Sequence, residues 1–371
     1  MAEVPAVSLL VPICNVEKYL RQCLESAREQ TLSNIEIICI NDGSTDSSLD
    51  IINEYVEADP RFRVLDKPNS GYGDSMNKGL SLCTGEYVGI LESDDFLDSE
   101  ALETMYRAAK KCDAQVVKCD FYLYWSLPEE RNEKFGWVDA LLEGHVNPQV
   151  EREVFYRKPS IWSAIYRRDF LEQNDISFLP SPGASYQDAG FNFKVWASCD
   201  NAVLLNEAFL HYRQDNEKSS VNSPGKVYCV CDEHDEIARF IDEKRPELKA
   251  VLGPVRAHTK FLNYRWNYDR LDAELKPEFL ERFSAEMRQE IESGCIDRRY
   301  FDGSIYCDSA SEGFRCFEPW EIIEIDWLAN DPTYYAAHRA CEHSSGKLET
   351  LKTYWNAGGL RYVYRALCGK K

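Results

Sequence analysis

Short apolar runs alternate with amphipathic stretches along the first part of the chain. A short apolar run bounded by turn residues predicts a buried strand, and apolar residues spaced three and four apart predict one face of a helix. The predicted strands are 7–11, 35–40, 62–65, 87–91, 114–121, 161–166, 202–206 and 208–213. Helical stripes follow the strands, as at Tyr19, Cys23 and Ala27. This alternation is typical of an α/β fold with a mostly parallel mixed sheet.

Two later stretches depart from the alternation. Residues 126–147 have mixed polarity and weak periodicity, which predicts an irregular excursion from the sheet. Helical spacing of apolar residues appears beyond residue 222, most clearly in 235–243, 255–262 and 277–291. Because 371 residues exceed the usual size of one domain, we expect an α/β domain in residues 1–222 and a mainly helical accessory region in residues 223–371.

Composition narrows the classes of partner and the location. The formal net charge of −20, from 43 Lys and Arg against 63 Asp and Glu, repels a polyanion, so we expect no nucleic acid partner. No apolar run is long enough to span a bilayer, although peripheral membrane association and a homodimer both stay open. The 14 cysteines occur without a signal peptide, which predicts reduced thiols in the cytoplasm, with the inner face of the membrane as an open location.

Polar residues follow two of the predicted strands. Residues 41–46 (NDGSTD) come after the second strand, and the acidic run Glu92–Asp95 follows the fourth. In open α/β sheets, ligands bind beyond the carboxyl ends of the strands. Clustered carboxylates at a buried strand end repel one another unless a cation neutralises them, and Mg²⁺ or Mn²⁺ prefers oxygen ligands. The alternatives are a helix-capping turn and a solvated acidic loop.

Two further candidate sites lie towards residue 222. Asp188 begins an apolar helix, where the ionised carboxylate is favoured and can act as a general base, with a plain helix cap as the alternative. His211 is a candidate metal or phosphate ligand, and Arg213 could reach a diphosphate. Ser219 and Ser220 lie in the loop beyond. A structural role is the alternative for both His211 and Arg213.

Taken in order, these features resemble the family 2 glycosyltransferases, which have the GT-A fold. The motifs that carry the resemblance are 7–15 (VSLLVPICN) with 17–20 (EKYL), Ser26 with Gln30 and Thr31, 41–46 (NDGSTD), 69–71 (NSG) with 77–79 (NKG), and 84–87 (TGEY) leading to 93–95 (SDD). Their order and spacing are specific across about residues 5–125 and recognisable to about Ser220. The resemblance implies a Rossmann-like GT-A catalytic domain in residues 1–222.

By that resemblance, the chain is an inverting enzyme that moves a sugar from a nucleotide diphosphate, with a UDP-sugar as the expected donor. The implied acceptor is a hydroxyl of a glycan or a lipid-linked sugar, in bacterial surface polysaccharide or cell-envelope assembly. Pro12 and Asp42 would line the nucleobase pocket, and Asp188 would be the catalytic base. Asp94 and Asp95 would handle the ribose and a Mn²⁺ or Mg²⁺ ion. The nucleotide-binding candidates are Pro12, Asn15, Asp42, Ser44, Gly71, Asn77, Lys78, Ser93, Asp94 and Arg213. The metal-ligand candidates are Glu92, Asp94, Asp95 and His211.

Two positions depart from the family pattern. Glu92 stands where the family usually has Asp, which leaves open which carboxylate binds the metal directly. Gln187 stands where the family usually has Glu, and the lost negative charge should lower the pKa of Asp188 relative to a Glu neighbour. Two other functions stay open. One is a non-catalytic nucleotide-sugar or glycan-binding protein, for which Gln187 is the one favouring feature. The other is a sugar nucleotidyltransferase, which usually needs a Gly-rich basic loop where this chain has Pro12–Asn15.

Overall fold

The computed structural model describes residues 3–138, 143–216, 227–302, 318–342 and 347–368. The chain divides into two compact units. The first comprises Met1–Asn222 and Asp235–Arg245, and the second comprises Ser223–His234 and Pro246–Lys371. Asp235–Arg245, which the sequence pattern placed in the C-terminal region, therefore belongs with the first unit.

The first unit alternates strands and helices through most of its length. Its strands are β1 (Val7–Ile13), β2 (Ile35–Asp42), β3 (Phe62–Lys67), β4 (Tyr87–Ile90), β5 (Phe96–Leu97), β6 (Val116–Trp125), β7 (Arg131–Phe135), β8 (Gly144–Val146), β9 (Ala164–Arg167) and β10 (Ala202–Arg213). Its helices are α1 (Glu17–Arg28), α2 (Ser48–Ala58), α3 (Tyr72–Leu82), α4 (Ala101–Cys112), α5 (Arg168–Gln173) and α6 (Gln187–Ser198).

These strands form one mixed sheet in the order β3-β2-β1-β4-β9-β6-β10-β5, with β7 paired to β6 and β8 to β10. The pairs β1–β2, β2–β3, β1–β4 and β6–β10 are parallel. β9 lies antiparallel between β4 and β6 and joins the two parallel groups. The predicted α/β class with a mostly parallel mixed sheet is confirmed.

The central strands are buried along their whole length. Every residue of β1 and β2 is buried, as expected for parallel strands that are covered on both faces and therefore have continuous apolar sequences. α1 buries Cys23 and Ala27 of the predicted stripe together with Leu20 and Leu24, while Tyr19 is half-buried. The polar loops that follow β1, β2 and β4 consequently emerge from a buried core.

Two sequence predictions at the far side of the sheet were wrong in detail. The predicted strands 202–206 and 208–213 form a single strand, β10, whose register against β6 shifts on both sides of Ala208. The predicted irregular excursion 126–147 contains β7 and β8, while residues 139–142 lie outside the described part of the chain. Most of β7 is exposed. Its main chain pairs with β6 although its side chains lack the apolar pattern on which the prediction relied.

The second unit is helical, as predicted. Its helices are α7 (Cys229–Lys244), which ends in the first unit, α8 (Lys249–Arg270), α9 (Lys276–Glu292), α10 (Arg299–Asp302), α11 (Pro319–Asn330), α12 (Pro332–Glu342) and α13 (Lys347–Cys368). Aromatic side chains fill its core, where the rings of Tyr264, Phe279 and Tyr335 each contact Phe283. Among the described residues, no helix has both the length and the apolar character needed to cross a membrane.

Candidate active site

The loops at the carboxyl ends of β1, β2 and β4 lie side by side, because β1 pairs with both of the other strands. Asp42 is the last residue of β2, and its carboxylate is buried. It accepts hydrogen bonds from Lys67 Nζ at 2.5 Å, Ser70 N at 2.8 Å and Gly71 N at 3.1 Å. The loop after β3 therefore holds the predicted base-recognising carboxylate in one orientation.

The loops after β1 and β2 are joined by Asn15. Its main-chain N–H donates to Ser44 Oγ at 3.1 Å, and its Oδ1 accepts from Thr45 N at 2.8 Å. Asn15 has a left-handed backbone conformation with φ 53°, which asparagine tolerates better than most residues. The structure thus brings Asn15, Ser44 and Asp42 together at one edge of the sheet.

Four other residues were predicted to contact the nucleotide near this edge: Pro12, Gly71, Asn77 and Lys78. Only some of them are free to do so. Pro12 is buried in β1 beside Ile40, and Gly71 has φ 92° at the start of α3. Both amide atoms of Asn77 bond the main chain of Phe178, at 2.8 Å each. Asn77 thus anchors the segment after α5 instead of presenting a free amide. Lys78 is exposed and pairs with Asp74 at 2.7 Å.

The acidic turn after β4 contains Glu92, Ser93, Asp94 and Asp95. Tyr72 donates its hydroxyl to Glu92 Oε1 at 2.6 Å, and Asn216 Nδ2 donates to Asp94 Oδ2 at 2.8 Å. Asp95 is 1% exposed, and its Oδ1 accepts the main-chain N–H of Arg213 at 2.8 Å. Its Oδ2 is buried without a hydrogen-bond partner among the described residues.

The electrostatics of this turn fit a divalent cation. Desolvation, with the charges of Asp94 and Glu92, raises the pKa of Asp95 well above its ordinary value. Desolvation also raises the pKa of Glu92 to about 8, with Asp94 and Asp188 adding to the shift. A buried carboxylate oxygen without a partner, beside two further carboxylates, is costly unless a cation neutralises the group. Hard dications prefer such oxygen ligands, so the residues present fit Mn²⁺ or Mg²⁺.

His211 does not join this group of predicted metal ligands. Its Nδ1 lies 2.7 Å from Asn132 Oδ1, and its Nε2 lies 3.0 Å from Asp98 Oδ1. The ring also stacks on Phe96, with centroids 4.3 Å apart. Because both ring nitrogens already have side-chain partners, His211 serves the packing between β5 and β10 in this structure.

The guanidinium of Arg213 is buried against the main chain of the acidic turn. Its guanidinium donates from Nε to the main-chain oxygen of Asp94 at 2.8 Å and from Nη2 to Gln22 Oε1 at 2.6 Å. The same group lies over the rings of Tyr19 and Tyr124, at 4.5 and 4.8 Å from their centroids. Arg213 is 4% exposed. The predicted diphosphate contact is therefore a residue that holds the turn in place, and Ser219 and Ser220 lie outside the described residues.

Asp188 lies in the first turn of α6, where the helix dipole favours an anion. Its Oδ1 accepts a hydrogen bond from Ala189 N at 2.9 Å. Desolvation raises the pKa of Asp188 to about 6, against the opposing effects of that hydrogen bond and of the charge of Lys158. Asp188 therefore keeps the raised pKa of a partly desolvated acid despite the neutral residue that precedes it.

The charge of Asp188 acts on residues of the acidic turn and its surroundings. The negative charge of Asp188 helps to raise the pKa values of Glu92 and Tyr72, although desolvation is the main cause for both. Tyr72 follows Gly71, whose N–H binds Asp42. A continuous set of contacts thus runs from the carboxylate of Asp42 to Glu92, and Asp188 acts on the same groups.

Gln187 has a structural reason to be an amide. Its Nε2 donates to Ser181 Oγ at 2.8 Å and to the main-chain oxygen of Gly183 at 3.4 Å. Its Oε1 accepts the N–H of Ser185. An ionised glutamate could only accept, so it could not make the first two bonds. Gln187 therefore fixes the loop that precedes Asp188.

That loop packs directly on the start of α3. Tyr72 N donates to the main-chain oxygen of Gly183 at 2.9 Å. A Cβ at Gly73 would overlap the main-chain carbonyl of Leu179, and one at Gly71 would lie 2.9 Å from Ser181 O. Gly71 and Gly73 thus allow the two loops to approach. Tyr186, between this loop and Asp188, adopts a left-handed conformation with φ 62°, which is costly for an aromatic residue.

Two residues near the acidic turn were not among the candidates from the sequence. Tyr72 lies between the motifs 69–71 and 77–79 and belongs to neither. Lys158 follows no motif and lies outside any predicted element. Its Nζ lies 4.4 Å from the centroid of the Tyr212 ring. Desolvation lowers the pKa of Lys158, and the charges of Asp188 and Asp95 oppose that shift. No periodicity or spacing in the sequence could have shown that the charges of Asp188 and Asp95, which are distant along the chain, act on this lysine.

A separate group of possible metal ligands occurs in the second unit. Ligand atoms of Glu324, His338 and Glu342 lie within 4.8 Å of one another. Arg339 already pairs with Glu342, and its Nη1 lies 3.6 Å from Glu324 Oε1. Because a neighbouring cation already neutralises these carboxylates, the acidic turn after β4 is the better match to a dication.

Comparison with known proteins identifies similar sequences. Residues 8–173 match the family model described as glycosyl transferase family 2. EpsH of Bacillus subtilis strain 168 is 34% identical over 228 residues, which cover 57% of this chain and 61% of EpsH. The glycosyltransferase GlyG of Streptococcus pneumoniae serotype 4 is 30% identical over 220 residues, which cover 56% of this chain and 70% of GlyG. The chain thus spans less than two thirds of the length of EpsH.

A solved structure shares the fold. The crystal structure of residues 1–349 of Staphylococcus aureus TarS, in complex with UDP-GlcNAc, superposes with a TM-score of 0.52 and 20% sequence identity. The superposition covers 81% of this chain and 93% of the TarS chain. The likeness supports the predicted GT-A type of α/β domain followed by helices.

Proposed function

Because the chain belongs to glycosyl transferase family 2, we propose that it transfers a sugar, with inversion, from a UDP-sugar to a hydroxyl of a glycan or a lipid-linked acceptor. The activity class follows from the family. The donor is proposed from the site at the ends of β1, β2 and β4. Support for uridine comes from TarS, a protein of the same fold whose structure contains UDP-GlcNAc.

The donor nucleotide would lie along the edge formed by β1 and β2. Asp42 would accept a hydrogen bond from the base, because the Ser70 and Gly71 amides and Lys67 hold its carboxylate in one orientation. Pro12 would pack against the base. Asn15 and Ser44, which already bond each other, would shape the adjoining wall together with Gly71. Lys78 is exposed and would be a peripheral contact to the nucleotide. Asn77 and Arg213 are hydrogen-bonded to the main chain of Phe178 and of Asp94, so we do not assign them to the nucleotide.

The observation that carries the proposal is the partnerless buried oxygen of Asp95 beside Asp94 and Glu92. We assign these three carboxylates to Mn²⁺ or Mg²⁺, and Ser93 to the ribose and phosphate side of the same turn. When bound, such an ion neutralises the charge that develops on the departing diphosphate. Arg213 contacts the main-chain oxygen of Asp94 and the side chain of Asp95, and so would help to hold the turn in place when a cation binds.

Asp188 is the proposed general base. Its raised pKa, about 6, leaves it ionised at neutral pH while making it a stronger base than an ordinary aspartate. It would take the proton from the acceptor hydroxyl as that oxygen attacks the anomeric carbon opposite the departing diphosphate, so the configuration inverts. Lys158, whose charge acts on both Asp188 and Asp95, would stabilise negative charge between the two. Gln187 keeps the preceding loop in place.

A non-catalytic binding protein was the alternative from a different functional class. Gln187 was the one departure that favoured it. The hydrogen bonds that Gln187 donates to Ser181 and Gly183 give the amide a structural purpose, so this residue no longer argues against catalysis.

The test measures UDP binding by calorimetry with and without Mn²⁺, and hydrolysis of UDP-sugars in the absence of acceptor. Asp95→Asn and Asp94→Asn should remove the part of UDP affinity that depends on Mn²⁺. Asp98→Asn is the matched control, because Asp98 follows the same turn but contacts His211. If both variants of the turn bind UDP with Mn²⁺ as the unmodified chain does, the acidic turn is not the metal site.

A further inference from the structure

The last helix of the second unit presents an apolar face to solvent. Four large side chains of α13 are strongly exposed: Trp355 at 57%, Leu360 at 71%, Tyr364 at 68% and Leu367 at 67%. Leu360, Tyr364 and Leu367 are spaced by four and three residues, so they form one stripe along the helix. Large apolar residues exposed as a contiguous stripe usually mark an interaction surface, whereas single ones do not.

The opposite face of α13 is fixed to the rest of the unit. Tyr354 and Tyr362 are buried in a cluster with Tyr334 and Ala337 of α12. Tyr362 donates its hydroxyl to Asp331 Oδ1 at 2.5 Å, and Arg365 donates to Asp331 Oδ2 at 2.9 Å. These bonds determine which side of the helix faces inwards. The exposure of the apolar stripe is therefore a consequence of specific contacts on the other side.

A break in the helix is built into this arrangement. Gly358 and Gly359 have non-helical backbone angles, and Gly359 has φ 62°, a conformation that favours glycine. A Cβ at Gly358 would overlap the ring of Tyr362. The two glycines thus let Tyr362 pack inwards while the segment that carries Leu360 and Leu367 changes direction.

The charge of α13 is opposite to that of the chain. Residues 347–368 contain four basic residues and one acid, Glu349, in a protein with a formal net charge of −20. Lys352 and Arg361 are exposed on the same helix as the apolar stripe. Exposed Trp, Tyr and Leu beside Lys and Arg are the composition of helices that lie in the headgroup region of a bilayer. Aromatic rings of this kind favour the boundary between lipid and water.

We infer that α13 docks the protein on a membrane surface rich in acidic phospholipids, with Leu360, Tyr364 and Leu367 entering the headgroup region. Lys352 and Arg361 then lie against the phosphates, where each basic residue adds to the affinity. A second copy of the chain is a poorer match. A two-fold contact through this face would bring the same cations of both copies together. The inference does not depend on the proposed sugar transfer, because it concerns binding in the absence of any donor.

The experiment measures sedimentation of the full chain with vesicles of phosphatidylcholine alone and with phosphatidylglycerol added. Binding should require phosphatidylglycerol and weaken as salt is raised. The double variant Leu360→Gln, Leu367→Gln should bind at least about tenfold more weakly, because it removes apolar area from the stripe. Leu127→Gln is the matched control, since Leu127 is 65% exposed in the first unit, and it should bind as the unmodified chain does.

A second pair of variants tests the charges. Lys352→Glu with Arg361→Glu should abolish the preference for phosphatidylglycerol, whereas Arg107→Glu with Lys111→Glu, on exposed positions of α4, should not. All substitutions lie on exposed positions, and unchanged thermal unfolding by circular dichroism would show that folding is intact. The inference is overturned if the unmodified chain ignores acidic vesicles or if the α13 variants bind equally well. It is also overturned if the stripe variants instead dissociate a dimer seen by analytical ultracentrifugation.

Discussion

The guanidinium of Arg213 donates from Nε to the main-chain oxygen of Asp94 at 2.8 Å, across 119 positions of the sequence. The main-chain N–H of Arg213 also binds Asp95 Oδ1. One residue at the end of β10 thus contacts both Asp94 and Asp95 of the turn after β4. The arginine acts on the acidic turn as a positioning residue, and its own charge is enclosed between Tyr19 and Tyr124.

Arg213→Gln should therefore destabilise the fold as well as the site. Removing one partner from a buried, hydrogen-bonded charge network costs about 3 kcal/mol. We expect that loss in the free energy of unfolding, measured by urea titration, together with weaker UDP binding only when Mn²⁺ is present. Lys110→Gln is the control, because its exposed ion pair with Glu86 contributes no more than about 1 kcal/mol. Normal stability with lost UDP binding would instead indicate a direct contact between Arg213 and the diphosphate.

Asp188→Asn should separate catalysis from donor binding. Loss of a general base lowers turnover by roughly 10²–10⁴-fold, while the acidic turn and Asp42 remain unchanged. Steady-state transfer rates and UDP calorimetry on the same preparation would give the two quantities. Transfer at a rate close to that of the unmodified enzyme would remove Asp188 from the proposed mechanism.

The rate should depend on pH through Asp188. A general base works in its deprotonated form, and desolvation raises the pKa of Asp188 to about 6. The fraction of active base is therefore close to complete above that pH and falls as pH decreases through it. We expect kcat/KM to fall about tenfold per pH unit well below 6. The residual activity of Asp188→Asn should lack this acidic limb, and a limb that persists in the variant would belong to another group.

Gln187→Glu should impair the enzyme although it introduces the residue usual in the family. An ionised glutamate cannot donate to Ser181 Oγ or to the main-chain oxygen of Gly183. Its negative charge beside Asp188 should also raise the pKa of Asp188, which moves the acidic limb of the pH profile upwards. Gln187→Met removes the same hydrogen bonds without adding charge. This variant should lower the rate and leave the acidic limb of the pH profile in place. Equal pH profiles for the two variants would show that the charge at position 187 does not change the pKa of Asp188.

Gly73→Ala should be strongly destabilising. The added methyl group would overlap the main-chain carbonyl of Leu179, and neither side of that contact is a flexible side-chain end. Forcing an extra group into a packed site costs roughly 1–3 kcal/mol. A Cβ at Gly136 would meet no atom within 4 Å, so Gly136→Ala should leave thermal unfolding nearly unchanged. Equal melting temperatures for the two variants would mean that the loop before Asp188 does not press on α3.

The sequence predicted well those elements whose burial leaves a local pattern of apolar residues. The buried runs of β1 and β2 were found because strands covered on both faces must be apolar throughout. β7 was missed because an exposed strand is held by main-chain hydrogen bonds, which leave no apolar pattern in its side chains. The register shifts of β10 depend on β6, which lies far away in the sequence.

The sequence by itself determined the α/β order, the acidic residues at the end of the fourth strand and the position of Asp188 at a helix start. Only the tertiary structure decided what individual side chains contact. Asn77 is hydrogen-bonded to Phe178, and His211 is hydrogen-bonded to Asn132 and Asp98. Arg213 is hydrogen-bonded to the acidic turn. Lys158 lies near two carboxylates that no motif connects to it. The reason is physical: periodicity reports the local environment of a segment, whereas the partner of a polar side chain is set by whichever distant segment the fold brings within hydrogen-bond distance.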